Sequence, residues 1–279
     1  MKQVIIGSAL ALFGSVVLAA GCSSSTPAGP TDGGGDTGSS VPGTSLTPDP
    51  TGWVDRTATG TTGIQGAWYG YGDGAGADGL SSSGDCVKLG GHPANTCSMI
   101  SSPMNGNFAN TGGIMCTTGT AALVLNGSNG MPDYSEMWGA GIALDLNAEG
   151  GDAGGTKSPY NATMNHVIGF SFDFVDMTGA PLAPPLTGLR VEFPTPATGS
   201  SAAFWGSSPA GSNVAGASPV KKGHNSFTFD KVAGPFYAPA TAPAFDPMNI
   251  NSIQFHVFTN TSSSVPYSFC IANLTALTN

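Results

Sequence analysis

Leu189-Arg190-Val191-Glu192-Phe193 alternates apolar and charged side chains. This is the period-two pattern of a strand with one face in a core and the other turned outward. Arg56 and Arg190 are the only arginines in the chain, so a strand that carries one beside Glu192 stands apart. Moving outward from it, the same pattern recurs at residues 63–73 (GIQGAWYGYGD), 138–147 (WGAGIALDLN), 167–176 (VIGFSFDFVD) and 250–259 (INSIQFHVFT). Residues 119–125, 226–232 and 267–277 complete a set of strand candidates separated by turn-rich spacers. After the N-terminal leader no run shows helical three-four periodicity. Regularly spaced strands without intervening helices predict an all-β chain, a two-sheet antiparallel β-sandwich.

Composition agrees. Gly and Pro account for 42 and 21 of 279 residues and fall mostly between the apolar runs, where they read as turns. Only 9% of residues are charged and the net charge is −9, which leaves no basic patch for nucleic acid. Once a leader and a linker are set aside, about 200–220 residues remain, enough for one sandwich core.

Met1-Lys2-Gln3 is a short basic head, followed by an apolar run to Ala20. Leu18-Ala19-Ala20-Gly21-Cys22 resembles a bacterial lipobox, with Ala19 where that motif carries Leu, Val or Ile. The resemblance implies a signal peptide over residues 1–21 and lipidation of Cys22. The membrane is then a partner through the anchor, and Ser23 next to the cysteine implies the outer membrane. Residues 22–60 are rich in Ser, Gly, Pro and Thr with little to bury, so a flexible tether is expected there. The β-sandwich domain is expected over residues 61–279.

Cys86, Cys97, Cys116 and Cys270 remain, an even count that in an exported chain reads as two disulfides with three connectivities. Cys86 with Cys97 in one turn-rich segment, and Cys116 with Cys270, is the favoured pairing. No Cys-x-x-Cys spacing points to zinc.

Side chains two apart share a strand face. If Leu189, Val191 and Phe193 face the core, Arg190 and Glu192 face out. By the same parity Gln254, His256, Asp145 and Asp173 face out, and the six are expected to converge on one polar surface. The alternative is an ordinary solvated sheet face. Trp68 and Trp138 share parity with core residues, whereas Tyr69 and Tyr71 lie opposite. Tyr134, Phe204, Trp205, Phe236 and Tyr237 fall in loop-like stretches, and Trp205 is the first choice for a ligand-stacking aromatic. His92, His166 and His224 read as incidental.

The succession WYGYGDG, GAGIALDLN, GFSFDF, LRVEF, SIQFHV and FCIANLTAL resembles the galactose-binding-like jelly rolls used as carbohydrate-binding modules. This implies a jelly roll that binds a polysaccharide or oligosaccharide without catalysis. Arg190, Glu192, Gln254 and His256 would hydrogen-bond the ligand, Asp145 and Asp173 would sit at its edges, and Trp205 would stack on it. The family often carries a structural calcium. Asn273 stands where its last strand supplies an acid, while Asp73, Asp78 and Asp85 crowd a Gly-rich loop as solvated turn acids. A narrower likeness, Arg190-x-Glu192 with Gln254-x-His256, is similar to jelly-roll polysaccharide lyases, although the lysine-bearing strand of that family is missing. A structural or adhesive envelope protein is the other alternative.

Overall fold

The computed structural model describes residues 41–73, 99–100, 109–124, 126, 130–131, 139–150, 156–182, 189–197, 203–206, 220–234, 244–259 and 261–279. In chain order its strands are β1 (Gly43–Ser45), β2 (Trp53–Val54), β3 (Gly66–Gly72), β4 (Met99–Ile100) and β5 (Ala109–Thr111). Next come β6 (Ile114–Ala121), β7 (Gly139–Asp145), β8 (Ala148–Glu149), β9 (Thr156–Lys157) and β10 (Val167–Val175). The last five are β11 (Leu189–Phe193), β12 (Ala203–Gly206), β13 (Gly223–Thr228), β14 (Ser252–Phe258) and β15 (Val265–Thr278). The chain folds as the expected antiparallel β-sandwich. A seven-stranded sheet runs β13-β10-β15-β6-β4, with β1 added to β15 and β5 to β6. A six-stranded sheet runs β12-β11-β14-β7-β3-β2.

The core lies between the two sheets because period-two alternation aims one apolar row of each strand at the other sheet. Leu189, Val191 and Phe193 meet Ile253, Phe255 and Val257 from β14, and Phe170, Phe172 and Phe174 from β10, all fully buried. Phe172 contacts Phe255 edge-on at 5.0 Å across the sheet gap, and Phe170 stacks on Phe193 at 6.1 Å. β15 is fourteen residues long and central: β10 lies along one side, while β6 and β1 share the other. A two-residue turn joins β5 to β6 through Gly112 and Gly113, both with positive φ (63° and 92°), the backbone of the tight hairpin turns that glycine favours.

Cys116 and Cys270 sit directly opposite on β6 and β15 and form the expected disulfide. Cys86 and Cys97 lie outside the described residues, as do residues 1–21, Cys22, Asp78, Asp85, His92, Tyr134, Trp138, Phe236 and Tyr237. Part of the stretch expected to be tether is built into the fold. β1 pairs with the end of β15, Leu46 is buried in the core, and Asp55 caps a helical turn at Arg56–Thr59 by accepting from Thr57 N. Composition concealed this, because two buried aliphatic side chains, Leu46 and Val54, and two short paired strands, β1 and β2, suffice to dock an otherwise polar segment.

Candidate functional site

The outward face of the six-stranded sheet is built by its register. Arg190 lies opposite His256 and Glu192 opposite Gln254. Across β14, His256 faces Gly141, Gln254 faces Ala143 and Ser252 faces Asp145. Across β7, Gly141 meets Tyr71 and Ala143 meets Tyr69. Five of the residues expected to converge, Arg190, Glu192, Gln254, His256 and Asp145, therefore share one face. Asp173 does not. It lies on β10 of the other sheet, where His224 Nδ1 pairs with its Oδ1 at 2.8 Å and the Asn273 amide donates to its Oδ2 at 2.7 Å. Parity gave its orientation correctly, but parity carries no information about which sheet a strand joins.

The face has two ends of different character. At one end the charged groups are buried: Arg190, Glu192 and His256 are only 5%, 8% and 6% exposed, contrary to the expectation of an open polar surface. The Arg190 guanidinium donates to Glu192 Oε1 at 3.0 Å, and His256 Nδ1 lies 2.9 Å from the same oxygen. Phe258 and Phe204 flank the guanidinium at 3.8 and 4.7 Å from their ring centroids. Burial alone would push the Glu192 carboxyl up, but His256 and then Arg190 hold it below its ordinary value. Burial, followed by the Glu192 charge, raises the Tyr71 phenol well above its usual range. The glycines of β7 make the cluster possible. A Cβ on Gly141 would lie 3.1 Å from the Tyr71 hydroxyl, and one on Gly139 would lie 2.5 Å from His256 Nε2. Tyr71 and His256 thus fold down over bare backbone and meet with ring centroids 6.0 Å apart.

At the other end the face opens. Tyr69 and Gln254 are half-buried and Lys157 is exposed. The Lys157 ammonium pairs with Asp145 Oδ2 at 2.8 Å and lies 4.6 Å above the Tyr69 ring centroid. The Tyr69 hydroxyl interacts with the side chains of Ser252, Gln254 and Asp145, and its pKa is raised by burial first and the Asp145 charge second. Burial also raises Asp145, against the pull of Lys157. Gln254 Nε2 donates to Ser252 Oγ at 3.3 Å. Lys157 escaped the sequence reading, since nothing in its short β8–β9 hairpin pattern marks it as reaching this face.

Trp205 is a correction. It lies on β12 opposite Val191, is 5% exposed, and stacks on Phe227 at 4.6 Å inside the core. Its Gly/Ser-rich surroundings suggested a loop, but its parity on a short edge strand turns the indole inward, where apolar area is worth most. Phe204, its outward neighbour, serves Arg190 instead. The described residues also do not fit the calcium site that the family likeness implied. The Asn273 amide is engaged as a donor to Asp173, Asp73 Oδ2 accepts from Gly139 N at 2.8 Å, and among the described residues no three acidic, histidine or cysteine side chains cluster.

No family model matches the chain, and no curated protein does. Two similar solved structures are the family 11 carbohydrate-binding module of cellulosomal cellulase Lic26A-Cel5E of Clostridium thermocellum and the solution structure of CtCBM11. The first has a TM-score of 0.35 and 12% identity, and the second 0.32 and 14%. Both cover 76% of this chain and 88% of the other. Likeness at this level carries no argument about function.

Proposed function

We propose that the domain binds carbohydrate, without catalysis, at the open end of the outward face of the six-stranded sheet. Tyr69, Gln254 and Lys157 make the ligand contacts. Asp145 and Ser252 hold those three in place, and the buried Arg190–Glu192–His256 block stiffens the floor beside them. The observation that carries the reading is the partly exposed Tyr69, whose hydroxyl is fixed among Asp145, Ser252 and Gln254. A planar amide, a phenol and an ammonium on a rigid strand surface suit the hydroxyls and C–H faces of a sugar. The lyase alternative loses support from the same geometry. An arginine engaged by Glu192 and flanked by two phenylalanines is not free to neutralise a uronate carboxylate.

The test is retention of the full chain on insoluble polysaccharides, followed by titration with a panel of soluble glycans. Tyr69→Ala combined with Gln254→Ala should weaken binding at least tenfold while thermal unfolding stays near that of the parent. Unchanged binding sinks the face, and absence of any glycan binding sinks the function in favour of an adhesive role. The same reading takes the domain to be tethered to the cell surface through lipidated Cys22. Cys22→Ala should then move the protein from the membrane to the soluble fraction, and a membrane-bound variant would refute the tether.

A further inference from the structure

We infer that a second site, at one end of the sandwich, takes a neutral, hexose-sized polyol. A cavity of about 450 Å³ lies there, lined by Thr163, His166, Val167, Ile168, Thr228, Phe229, Asp230, Pro247 and Asn279. None of these residues belongs to the sheet face discussed above, and His166 was set aside in the sequence as incidental.

The walls are preorganised. Asn161 Oδ1 accepts from Met164 N at 2.8 Å, the Asn165 amide donates to Asn161 O at 2.8 Å, and His166 N donates to Thr163 O at 3.2 Å. This turn places His166 at φ 56°, in the left-handed region that is uncommon outside glycine but that histidine enters more readily than most residues. Ala162 N donates to Pro247 O at 2.9 Å, which ties the turn to the opposite wall. That wall is braced by Asp246, which accepts from Met248 N at 2.9 Å and from the Asn249 amide at 2.6 Å. Phe229 forms an apolar wall that cannot drift, because it packs against Phe170, Phe193 and Phe245 at 5.9, 5.8 and 5.5 Å.

The chemistry of the lining selects the guest. Phe229, Ile168, Val167 and Pro247 offer apolar surface for the C–H face of a ring. Thr163, His166, Asp230 and Asn279 surround it with hydroxyl, imidazole, carboxylate and amide groups. The side chains of Thr163 and His166 make no hydrogen bond to any described residue, so both remain available to a ligand. Asp230 is the only carboxylate side chain in the lining, and Lys231 already pairs with it at 3.2 Å. The exposed Asp230–Lys231 pair sets both signs of charge side by side at the rim, so neither an anion nor a cation meets a surface of single opposite sign. An apolar floor under a rim of hydroxyl, imidazole, amide and mixed-sign charged groups describes a polyhydroxyl ring without a dominant charge, and the volume falls within the range of small-molecule pockets.

The test is amide and side-chain NMR of the isotope-labelled full chain titrated with methyl glucoside, methyl galactoside and methyl mannoside. Glucosamine and glucuronate serve as the charged counterparts. The expected result is saturable shifts at Thr163, His166 and residues 228–230 with a neutral glycoside, and at least tenfold weaker binding of both charged sugars. Thr163→Trp, an exposed substitution that fills the cavity from the turn, should abolish those shifts and leave the remaining spectrum folded. Shifts confined to Tyr69 and Gln254, charged sugars binding as well as neutral ones, or undiminished shifts in Thr163→Trp would each overturn the inference. The two sites report through separate resonances, so silence at Tyr69 and Gln254 bears on the sheet face alone.

Discussion

Replacing Glu192 by Gln keeps the volume and one acceptor but removes the negative charge that Arg190 and His256 share. Both ion-pair partners of Glu192 are almost fully buried, so neither can turn to water for compensation. Removing one member of a buried pair costs up to about 3–5 kcal/mol, because the remaining group keeps its desolvation penalty while losing that counter-charge. The residual acceptor puts Glu192→Gln near the lower bound, about 3 kcal/mol, which is about 6–12 °C in Tm for a domain of this size. The pH dependence is the sharper readout. The folded-state pKa of Glu192 is depressed, so between the folded and unfolded values the unfolded chain binds more protons at this site. Its stabilisation is complete above the unfolded carboxyl value of about 4.3 and is lost as pH falls through the folded value. Chemical denaturation of the parent and of Glu192→Gln from pH 7 down to pH 3 should show the difference between them shrinking on acidification. The double variant Arg190→Met, Glu192→Gln should lose less than the sum of the two singles. A loss under about 1 kcal/mol at pH 7, or a difference that does not shrink with acid, would refute the account of the cluster as a mutually dependent buried unit.

Two further outcomes follow from the same structure. Cys116 and Cys270 are joined across a sequence separation of 154, and chain entropy puts the stabilisation at about 5 kcal/mol as an upper bound. A Cys116→Ala, Cys270→Ala variant should show a correspondingly lower denaturant midpoint, and a midpoint equal to that of the parent would contradict the pairing. Trp205→Ala should cost about 3–5 kcal/mol through loss of the indole and the cavity left beside Phe227 and Phe172. Glycan affinity of the folded fraction should not change, since the ring faces the core, and a selective loss of affinity without loss of stability would restore Trp205 as a ligand contact.

Strand parity determined a great deal by itself. Alternation at residues 189–193, 250–259 and 138–147 assigns the inner row of the core and the outer row of Arg190, Glu192, Gln254, His256 and Asp145, because a strand side chain has only two sides to choose between. The partnership of Cys116 with Cys270 was also legible, as one of three connectivities. What alternation cannot encode is anything that depends on a neighbour distant in sequence. Asp173 has the same parity signature as Asp145, yet β10 joins the other sheet. Trp205 sits in a stretch that reads as loop, yet edge pairing with β11 turns it inward. Arg190 and Glu192 face outward as expected, yet the glycines of β7 let Tyr71 and His256 close over the same face, and two phenylalanines enclose the guanidinium. An outward direction is a local property set by backbone geometry. Exposure is a global one, set by which strands lie side by side and how large their side chains are, and only the tertiary structure decided it.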